Sequence, residues 1–370
     1  MSFWFWQTEV SPHMVGLAEA LSTHNVEVIF VAEQMTSIER EKLGWGSMRM
    51  RGAKLKFVEN EFDVCVLVKK ASNDSIHFCQ GLRGNGLVCI AQRELAKRKL
   101  RQWAMVETVN DYGWKGILKR IEYRRLFFLW RNRLEGVLSI GYSTSDWVIS
   151  CGVSTKKVFP FTYFLQNENC LIEKNEESDV TFRLIFVGQL IERKALELLI
   201  LALEPLHRLN LQLLVIGTGP LASELRATAD ALIPGCVRWA GKLPMLEIPA
   251  YMKQSDCLVL PSRHDGWGAV VSEALMVGTP VITSDRCGAA GVVAESGVGG
   301  VFKSGDVEGL TELIAKAIER GRVSDADRLR VAGWADCLSA DFGAKYLLSI
   351  VNYMDGIEER PLPYWLKERT

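Results

Sequence analysis

Asp265 and Glu273 flank a Gly-Trp-Gly turn within Asp-Cys-Leu-Val-Leu-Pro-Ser-Arg-His-Asp-Gly-Trp-Gly-Ala-Val-Val-Ser-Glu-Ala-Leu-Met-Val-Gly-Thr-Pro, residues 256–280. An apolar strand at Cys257–Leu260 runs into a Pro- and Gly-bounded loop, and a helix starts near Gly268. Backbone N–H groups at that start, around Gly268 and Ala269, together with the positive dipole end, make an anion site. With a rise of about 1.5 Å per residue, both carboxylates border one pocket. Paired carboxylates suit the hydroxyls of a sugar or ribose, and the N–H groups between them suit a phosphate. Singly, Asp265 reads as a loop residue and Glu273 as a surface helix residue. The pair gains weight from Pro-Ser-Arg before it and Gly-Thr-Pro after it. Upstream, Arg193 and Lys194 stand at another helix start, where cations are slightly unfavourable unless an anion meets them.

These residues hang on a regular alternation of strands and helices. Phe182–Val187 is a buried-strand signature ending at Gly188, and a helical pattern runs from Lys194 to about His207. Leu211–Ile216 is a second strand, ended by Gly217-Thr-Gly-Pro220. Helix 221–232, strand 236–239, helix 245–254, strand 257–260, helix 269–277 and strand 280–283 follow. Short strands alternating with helices of about ten to fourteen residues imply βαβ units on a parallel sheet. The first half repeats the rhythm more faintly, with strands expected at Phe3–Trp6, Val26–Val31, Lys54–Val58, Val64–Val68 and Gly86–Ile90 and a helix at Met14–Leu21. Residues 168–180 are polar and aperiodic and read as a linker. Helices at 306–320 and 339–354 close the chain.

The 370 residues carry 44 Lys+Arg and 44 Asp+Glu, with 48% hydrophobic and 24% charged residues. That is the composition of a packed globule of about two domains, not of a disordered chain, a collagen or a coiled coil. Zero net charge disfavours a dedicated nucleic-acid binder. No apolar run is long enough for a spanning helix, and the start lacks the basic segment of a signal peptide. Nine scattered cysteines without CxxC spacing read as reduced thiols in the cytosol. The neutral total divides at the linker into a basic first half and an acidic second half. Residues 93–133 alone hold twelve basic and four acidic side chains.

The 256–280 segment resembles the donor-site signature of retaining glycosyltransferases of the GT-B fold, family 4. That signature pairs two acids seven residues apart within Pro-Ser-x-x-Glu-Gly-[Phe/Trp]-Gly, followed by Gly-x-Pro. Asp265 stands where the family has Glu, one methylene shorter, and Glu273 matches the residue that binds the donor ribose. Val187-Gly-Gln-Leu-Ile-Glu-Arg-Lys194 is similar to the family's Gly-Arg-Leu-x-x-x-Lys-Gly, whose Arg and Lys neutralise the donor diphosphate. Lys194 falls on that Lys, Gln189 replaces the Arg, and Arg193 is placed to share the charge. Gly217-Thr-Gly-Pro220 matches a structural turn of the family. The resemblance covers about 182–320 well. Before residue 165 it rests on strand order and on Gly141 through Phe161.

In the first half, Gln7-Thr-Glu-Val-Ser-Pro-His13 replaces the family's Gly-Gly loop. His13 and Glu9 are the candidates there for contact with the acceptor or the β-phosphate, while a plain loop role for His13 stays open. His77, in a strand context, reads as a core histidine, and His264 as a neighbour that orients Asp265. From Ile117 to Leu134 a helix interleaves Lys119, Arg120, Arg124 and Arg125 with large apolar residues including Trp130. Such a segment suits an anionic bilayer surface. The competing reading packs its aromatics in the core; RNA binding has no motif behind it.

The resemblance implies an α/β protein with two Rossmann-like parallel-sheet domains facing a cleft. The acceptor domain is expected at 1–167, the linker at 168–180 and the nucleotide-sugar domain at 181–338, with a last segment, 339–370, crossing back to the first domain. It implies transfer of a sugar from a nucleotide-diphosphate sugar to an acceptor hydroxyl with retention and without a divalent metal or cofactor. Asp265, His13 and Lys194 are the candidate catalytic residues. Gly188, Gln189, Arg193, Lys194, Gly266, Trp267, Gly268, Ala269 and Glu273 are the candidate donor contacts. Family habit and the basic-aromatic segment suggest a lipid-linked saccharide acceptor in bacterial O-antigen or capsule assembly, at the cytoplasmic face of the inner membrane. A nucleotide-sugar epimerase of the same fold and a non-catalytic GT-B subunit are the alternatives, the latter because of Gln189 and Asp265.

Overall fold

A computed structural model of the chain describes residues 1–36, 50–166 and 180–366. All of the expected linker except Val180 lies outside the described residues. The described chain divides into two units, one built from residues 1–36, 50–166 and 338–366, the other from 180–337.

The first unit has a seven-stranded sheet in the order β3-β2-β1-β4-β5-β6-β7, every pair parallel. Its strands are β1 (Ser2–Glu9), β2 (Glu27–Gln34), β3 (Lys54–Phe57), β4 (Ile76–Gln80), β5 (Arg101–Glu107), β6 (Gly136–Ile140) and β7 (Val158–Phe161). The helices between them are α1 (Pro12–Thr23), α2 (Glu61–Lys70), α3 (Val88–Lys97), α4 (Gly113–Trp130) and α5 (Thr144–Ser150). β1 lies inside a parallel sheet covered on both faces, so Phe3, Trp4, Phe5 and Trp6 are all buried and the strand is apolar without alternation. The C-terminal segment belongs to this unit. Leu165 N–H donates to Leu338 O at 3.0 Å, and Tyr346 on the last helix donates to Pro160 O at 3.0 Å.

Two segments expected as strands are helices. Val64–Val68 lies within α2, where Asn60 caps the N-terminus by accepting from Asp63 N–H at 3.1 Å. Glu61 and Asp63 occupy the first turn and Lys69 and Lys70 the last, matching the helix dipole. Of its valines, Val64 and Val68 are the buried ones, four residues apart on one helical face. Capping and periodicity outweigh the β propensity of a Val-rich run. Gly86–Ile90 leads into α3, whose buried Val88, Ala91, Gln92 and Leu95 follow helical spacing. The Glu33 carboxylate accepts from Leu87 N–H at 2.7 Å and fixes the start of that helix.

His77 is a core residue of β4, as its context suggested. Trp6 Nε1–H donates to His77 Nδ1 at 3.0 Å, and an indole can only donate, so the imidazole proton sits on Nε2. Nε2–H then donates to Ser75 Oγ at 2.8 Å, and the Ser75 hydroxyl donates in turn to Ser72 O at 2.5 Å. Burial, with Arg98 nearby, holds the His77 pKa down at about 3. In the unfolded chain the ring takes up a proton below about pH 6.5, whereas the folded chain does so only near 3. Stability is therefore lost as pH falls through that window. Between pH 7 and 4.5 the loss from this group is expected to be about 2–3 kcal/mol. Denaturant melts of wild type and His77→Gln at the two pH values check it; an equal pH dependence in both contradicts the assignment.

The second unit has a six-stranded parallel sheet in the order β10-β9-β8-β11-β12-β13. Its strands are β8 (Phe182–Val187), β9 (Leu211–Ile216), β10 (Val237–Gly241), β11 (Cys257–Leu260), β12 (Val281–Ser284) and β13 (Gly299–Phe302). Helices α6 (Leu196–Leu203), α7 (Ala222–Leu232), α8 (Ile248–Gln254), α9 (Ala269–Met276), α10 (Ala290–Ser296), α11 (Val307–Arg320) and α12 (Asp325–Ala335) connect and close it. The last helix of the chain, α13 (Ala340–Met354), packs on α1 in the first unit. The chain builds outward from β8 to β10, then returns to place β11 on the other side of β8. That reversal makes the β8/β11 boundary a topological switch point. Loops at the carboxyl ends of two such strands diverge and leave a crevice where ligands bind in open α/β sheets. In the first unit the corresponding boundary is β1/β4; Glu9 is the last residue of β1 and His13 follows it in α1.

Candidate donor site at the carboxyl ends of β8 and β11

Two loops meet at this switch point. After β8, Gly188 and Gln189 lead to a short 3-10 turn, Glu192–Lys194, and Ala195 then enters α6. Ala195 adopts a left-handed backbone (φ 52, ψ 41) with its methyl buried. Left-handed backbone is costly for a residue with a Cβ, and strain of that kind persists where the surroundings hold it. Here it turns the chain so that Lys194 faces the second loop. A Cβ built on Gly188 would lie 3.7 Å from the Lys194 Cδ and Cε, an ordinary contact distance, so the lysine stem runs directly past the glycine.

After β11 the chain runs through Pro261 to Gly268 before α9 begins. Lys194 Nζ donates to Asp265 Oδ2, and both side chains are mostly covered, 13% and 12% exposed. Arg193 is more exposed; its guanidinium donates to His264 O at 3.0 Å and lies 3.6 Å from Asp265 Oδ1. Arg263 N–H donates to Arg193 O at 2.8 Å, joining the two loops through the backbone as well. Gly268, at φ +86, is the residue before the first turn of α9, and Glu273 is half-buried on that helix. The sequence spacing thus brings Lys194, Arg193, Asp265 and the start of α9 together. Two cations and a helix start beside one carboxylate leave the pocket net attractive to an anion.

Trp267 is placed differently from a ligand contact. Its ring is buried and its Nε1–H donates to Ser272 Oγ at 3.1 Å, so it anchors the loop to α9. Arg286, Cys287 and Gly288, which the sequence reading passed over, form the outer wall of that loop. Asp265 N–H donates to Arg286 O at 3.0 Å, Gly288 N–H to Asp265 O at 3.0 Å, and Ala289 N–H to Trp267 O at 2.7 Å. A Cβ on Gly288 would lie 2.1 Å from Gly266 O, so only glycine allows this approach. The Cys287 thiol donates to Trp267 O at 3.1 Å, and burial, reinforced by the Asp265 charge, pushes its pKa up to about 12. It stays a neutral packing group. The only sequence signal for this wall is a run of small residues after β12.

His13 lies in the first turn of α1, behind Pro12 at the first helical position, with its ring centroid 5.5 Å from that of Tyr163. Of the cations named for the basic segment, three on α4 are hydrogen-bonded to neighbouring loops and helices of the domain. Arg120 donates to Asp111 at 2.9 Å and to Ser150 Oγ at 3.1 Å, Arg124 to Ser150 O at 3.2 Å, and Lys119 to Asn110 O at 2.9 Å. Trp130 packs against the core, and Arg125 is exposed. Among the described residues no three His, Cys, Asp or Glu side chains gather as a metal site. The Asp325-Ala-Asp327 triplet opens α12, where Ser324 Oγ accepts from Asp327 N–H at 3.1 Å and caps the helix. Among the described residues no helix is long and apolar enough to cross a membrane.

Known proteins share the fold and part of the sequence. Residues 169–333 match the model of the family "Glycosyl transferases group 1". The amylovoran biosynthesis glycosyltransferase AmsK of Erwinia amylovora is 26% identical over 204 residues, 53% of this chain and 49% of that protein. The chain thus spans about half the length of that relative. Among solved structures, HepE of Anabaena in complex with UDP superposes with a TM-score of 0.73 at 13% identity, covering 95% of this chain and 99% of that one. The lipopolysaccharide outer core galactosyltransferase WaaB reaches 0.69 at 15% identity, covering 95% and 99%. The two parallel sheets and these neighbours make the fold GT-B, and the residues that carry the candidate site lie within the stretch that matches the model of the glycosyl transferases group 1.

Proposed function

We propose that the chain is a retaining glycosyltransferase that moves a sugar from a nucleotide-diphosphate sugar to an acceptor hydroxyl. The observation that carries the reading is the Lys194–Asp265 pair at the β8/β11 switch point, beside the start of α9 and Glu273. In this scheme Lys194 and Arg193 leave their carboxylate and carbonyl partners to meet the diphosphate, with the α9 N–H groups adding to them. Asp265 then holds hydroxyls of the donor sugar, and Glu273 holds the ribose. The bond from sugar C1 to the β-phosphate oxygen breaks as the acceptor oxygen bonds to C1 on the same face. The acceptor proton passes to the departing phosphate oxygen. Fixed cations aimed at that oxygen stabilise the charge as it develops. His13 and Glu9, at the switch point of the first unit, are the candidates for the acceptor side.

We place the reaction in bacterial surface-polysaccharide assembly, with a lipid-linked saccharide as acceptor at the cytoplasmic face of the inner membrane. The names of AmsK, for amylovoran biosynthesis, and of WaaB, for the lipopolysaccharide outer core, support that setting. A panel of UDP- and GDP-sugars with membrane-extracted acceptor tests the proposal, the product anomer being read by proton NMR. Transfer with the donor's anomeric configuration kept is expected. Glu273→Ala should raise the donor KM about tenfold or more while changing kcat less, since a ribose contact is made equally before and during reaction. Inverted product, or a Glu273→Ala variant with wild-type KM, contradicts the reading.

A further inference from the structure

Helix α4 is apolar on two opposite faces. Its inner face, with Tyr123 and Phe127, packs into the first unit's core. On the outer face Trp114, Ile117, Leu118, Ile121, Phe128 and Leu129 are between 55% and 68% exposed. At 3.6 residues per turn these six, with Arg125 among them, fall in one arc of about 120° running some 22 Å along the helix. A surface helix of a soluble domain ordinarily presents polar residues there. A contiguous row of large exposed apolar side chains marks an interaction surface.

Charge says what kind. Residues 113–133 carry seven Lys and Arg and one acid, Glu122, whose carboxylate is already paired to Arg83 at 2.8 Å. Lys115, Arg125, Arg131 and Arg133 are exposed along the arc and its end. The Arg131 guanidinium lies 3.8 Å from the Phe128 ring centroid, and Lys115 Nζ lies 5.7 Å from that of Trp114. Long cationic side chains beside exposed rings can reach phosphates while the rings enter the acyl boundary.

We infer that this outer face of α4 lies flat on an anionic lipid surface. The contact residues are Trp114, Ile117, Leu118, Ile121, Phe128 and Leu129, with Lys115, Arg125, Arg131 and Arg133 facing the headgroups. Lys119, Arg120 and Arg124 instead brace the helix against the domain. The contact is independent of the donor chemistry, so either can fail without the other.

Flotation of the full chain with vesicles of phosphatidylcholine, alone or mixed with phosphatidylglycerol, tests it. Wild type is expected to float with the mixed vesicles at low salt and to detach as salt rises. Ile121→Asp/Phe128→Asp should lower partitioning at least tenfold, and Arg125→Gln about fivefold. Calorimetric UDP binding and circular dichroism should be unchanged in these variants, which shows that they fold and keep the nucleotide site. Lys119→Gln, which removes a cation bonded to Asn110 O, should float as wild type does. The inference is overturned if wild type stays off anionic vesicles, or if the double variant floats equally well. A concentration-dependent dimer dispersed by Phe128→Asp would overturn it too, by showing a second copy on that face.

Discussion

Replacing Lys194 by Ala is expected to lower kcat/KM for transfer from a nucleotide-diphosphate sugar by about 100- to 1,000-fold. The ammonium group is held near Asp265 in a mostly covered position, and covered charges act more strongly than exposed ones. In the proposed scheme the diphosphate sits between Lys194 and the start of α9. Removing Lys194 would then take away the cation proposed to meet charge developing on the departing phosphate. Arg193, exposed and 3.6 Å from Asp265, is a weaker substitute at that distance. Lys194→Arg should recover only part of the loss, because a planar, forked guanidinium does not reproduce the compact point charge of an ammonium. Steady-state kinetics with a matched thermal melt separates this effect from unfolding. A Lys194→Ala variant within threefold of wild type would remove the lysine from the mechanism.

The second large effect concerns stability. Gly217→Ala should cost more than about 3 kcal/mol and sharply reduce the yield of folded protein. Gly217 has φ +143, and a Cβ there would lie 1.8 Å from Gly188 O and 2.9 Å from Gly188 C. Both clashing atoms are backbone and cannot swing away. The same turn ties the strand ends together: Gly188 N–H donates to Ile216 O at 3.0 Å, Gly217 N–H to Gly241 O at 2.7 Å, and Leu190 N–H to Thr218 O at 2.9 Å. Displacing it would move the loop that carries Lys194. Gly235→Ala is the control, since Gly235 has φ +75 but no atom within 4 Å of the added methyl. Its expected cost is about 1 kcal/mol, from the left-handed backbone alone. Equal denaturation midpoints for the two variants would show that the close approach to Gly188 is not tight.

The second unit was legible because most of its strands are short apolar runs bounded by turn residues. β8, β9, β11 and β12 all lie within two residues of where apolar runs and turn residues placed them. The first unit was harder. Its Val-rich α2 has the composition of a strand, and only the Asn60 cap, the terminal charges and the Val64–Val68 spacing mark it as a helix. β5 was hidden in the basic stretch, with Arg101 opening the strand and Trp103 fully buried. At the site, the Asp265–Glu273 spacing and the Arg193–Lys194 pair could be found from sequence because each departs from what a plain helix start would carry. The wall at Arg286–Gly288 could not, because it acts through backbone atoms that any small residues would supply. The direction in which the cations of α4 point is also a tertiary fact, set by Asp111 and Ser150.

The central claim is that the loops after β8 and β11 bind a nucleoside diphosphate. Titration calorimetry of the full chain with UDP and with GDP measures this directly, without an acceptor or a known sugar. Saturable one-to-one binding of at least one of the two is expected, weakened about tenfold or more by Glu273→Ala and by Lys194→Ala. No binding of either nucleotide to the folded wild-type chain, or binding that both variants leave untouched, would contradict it.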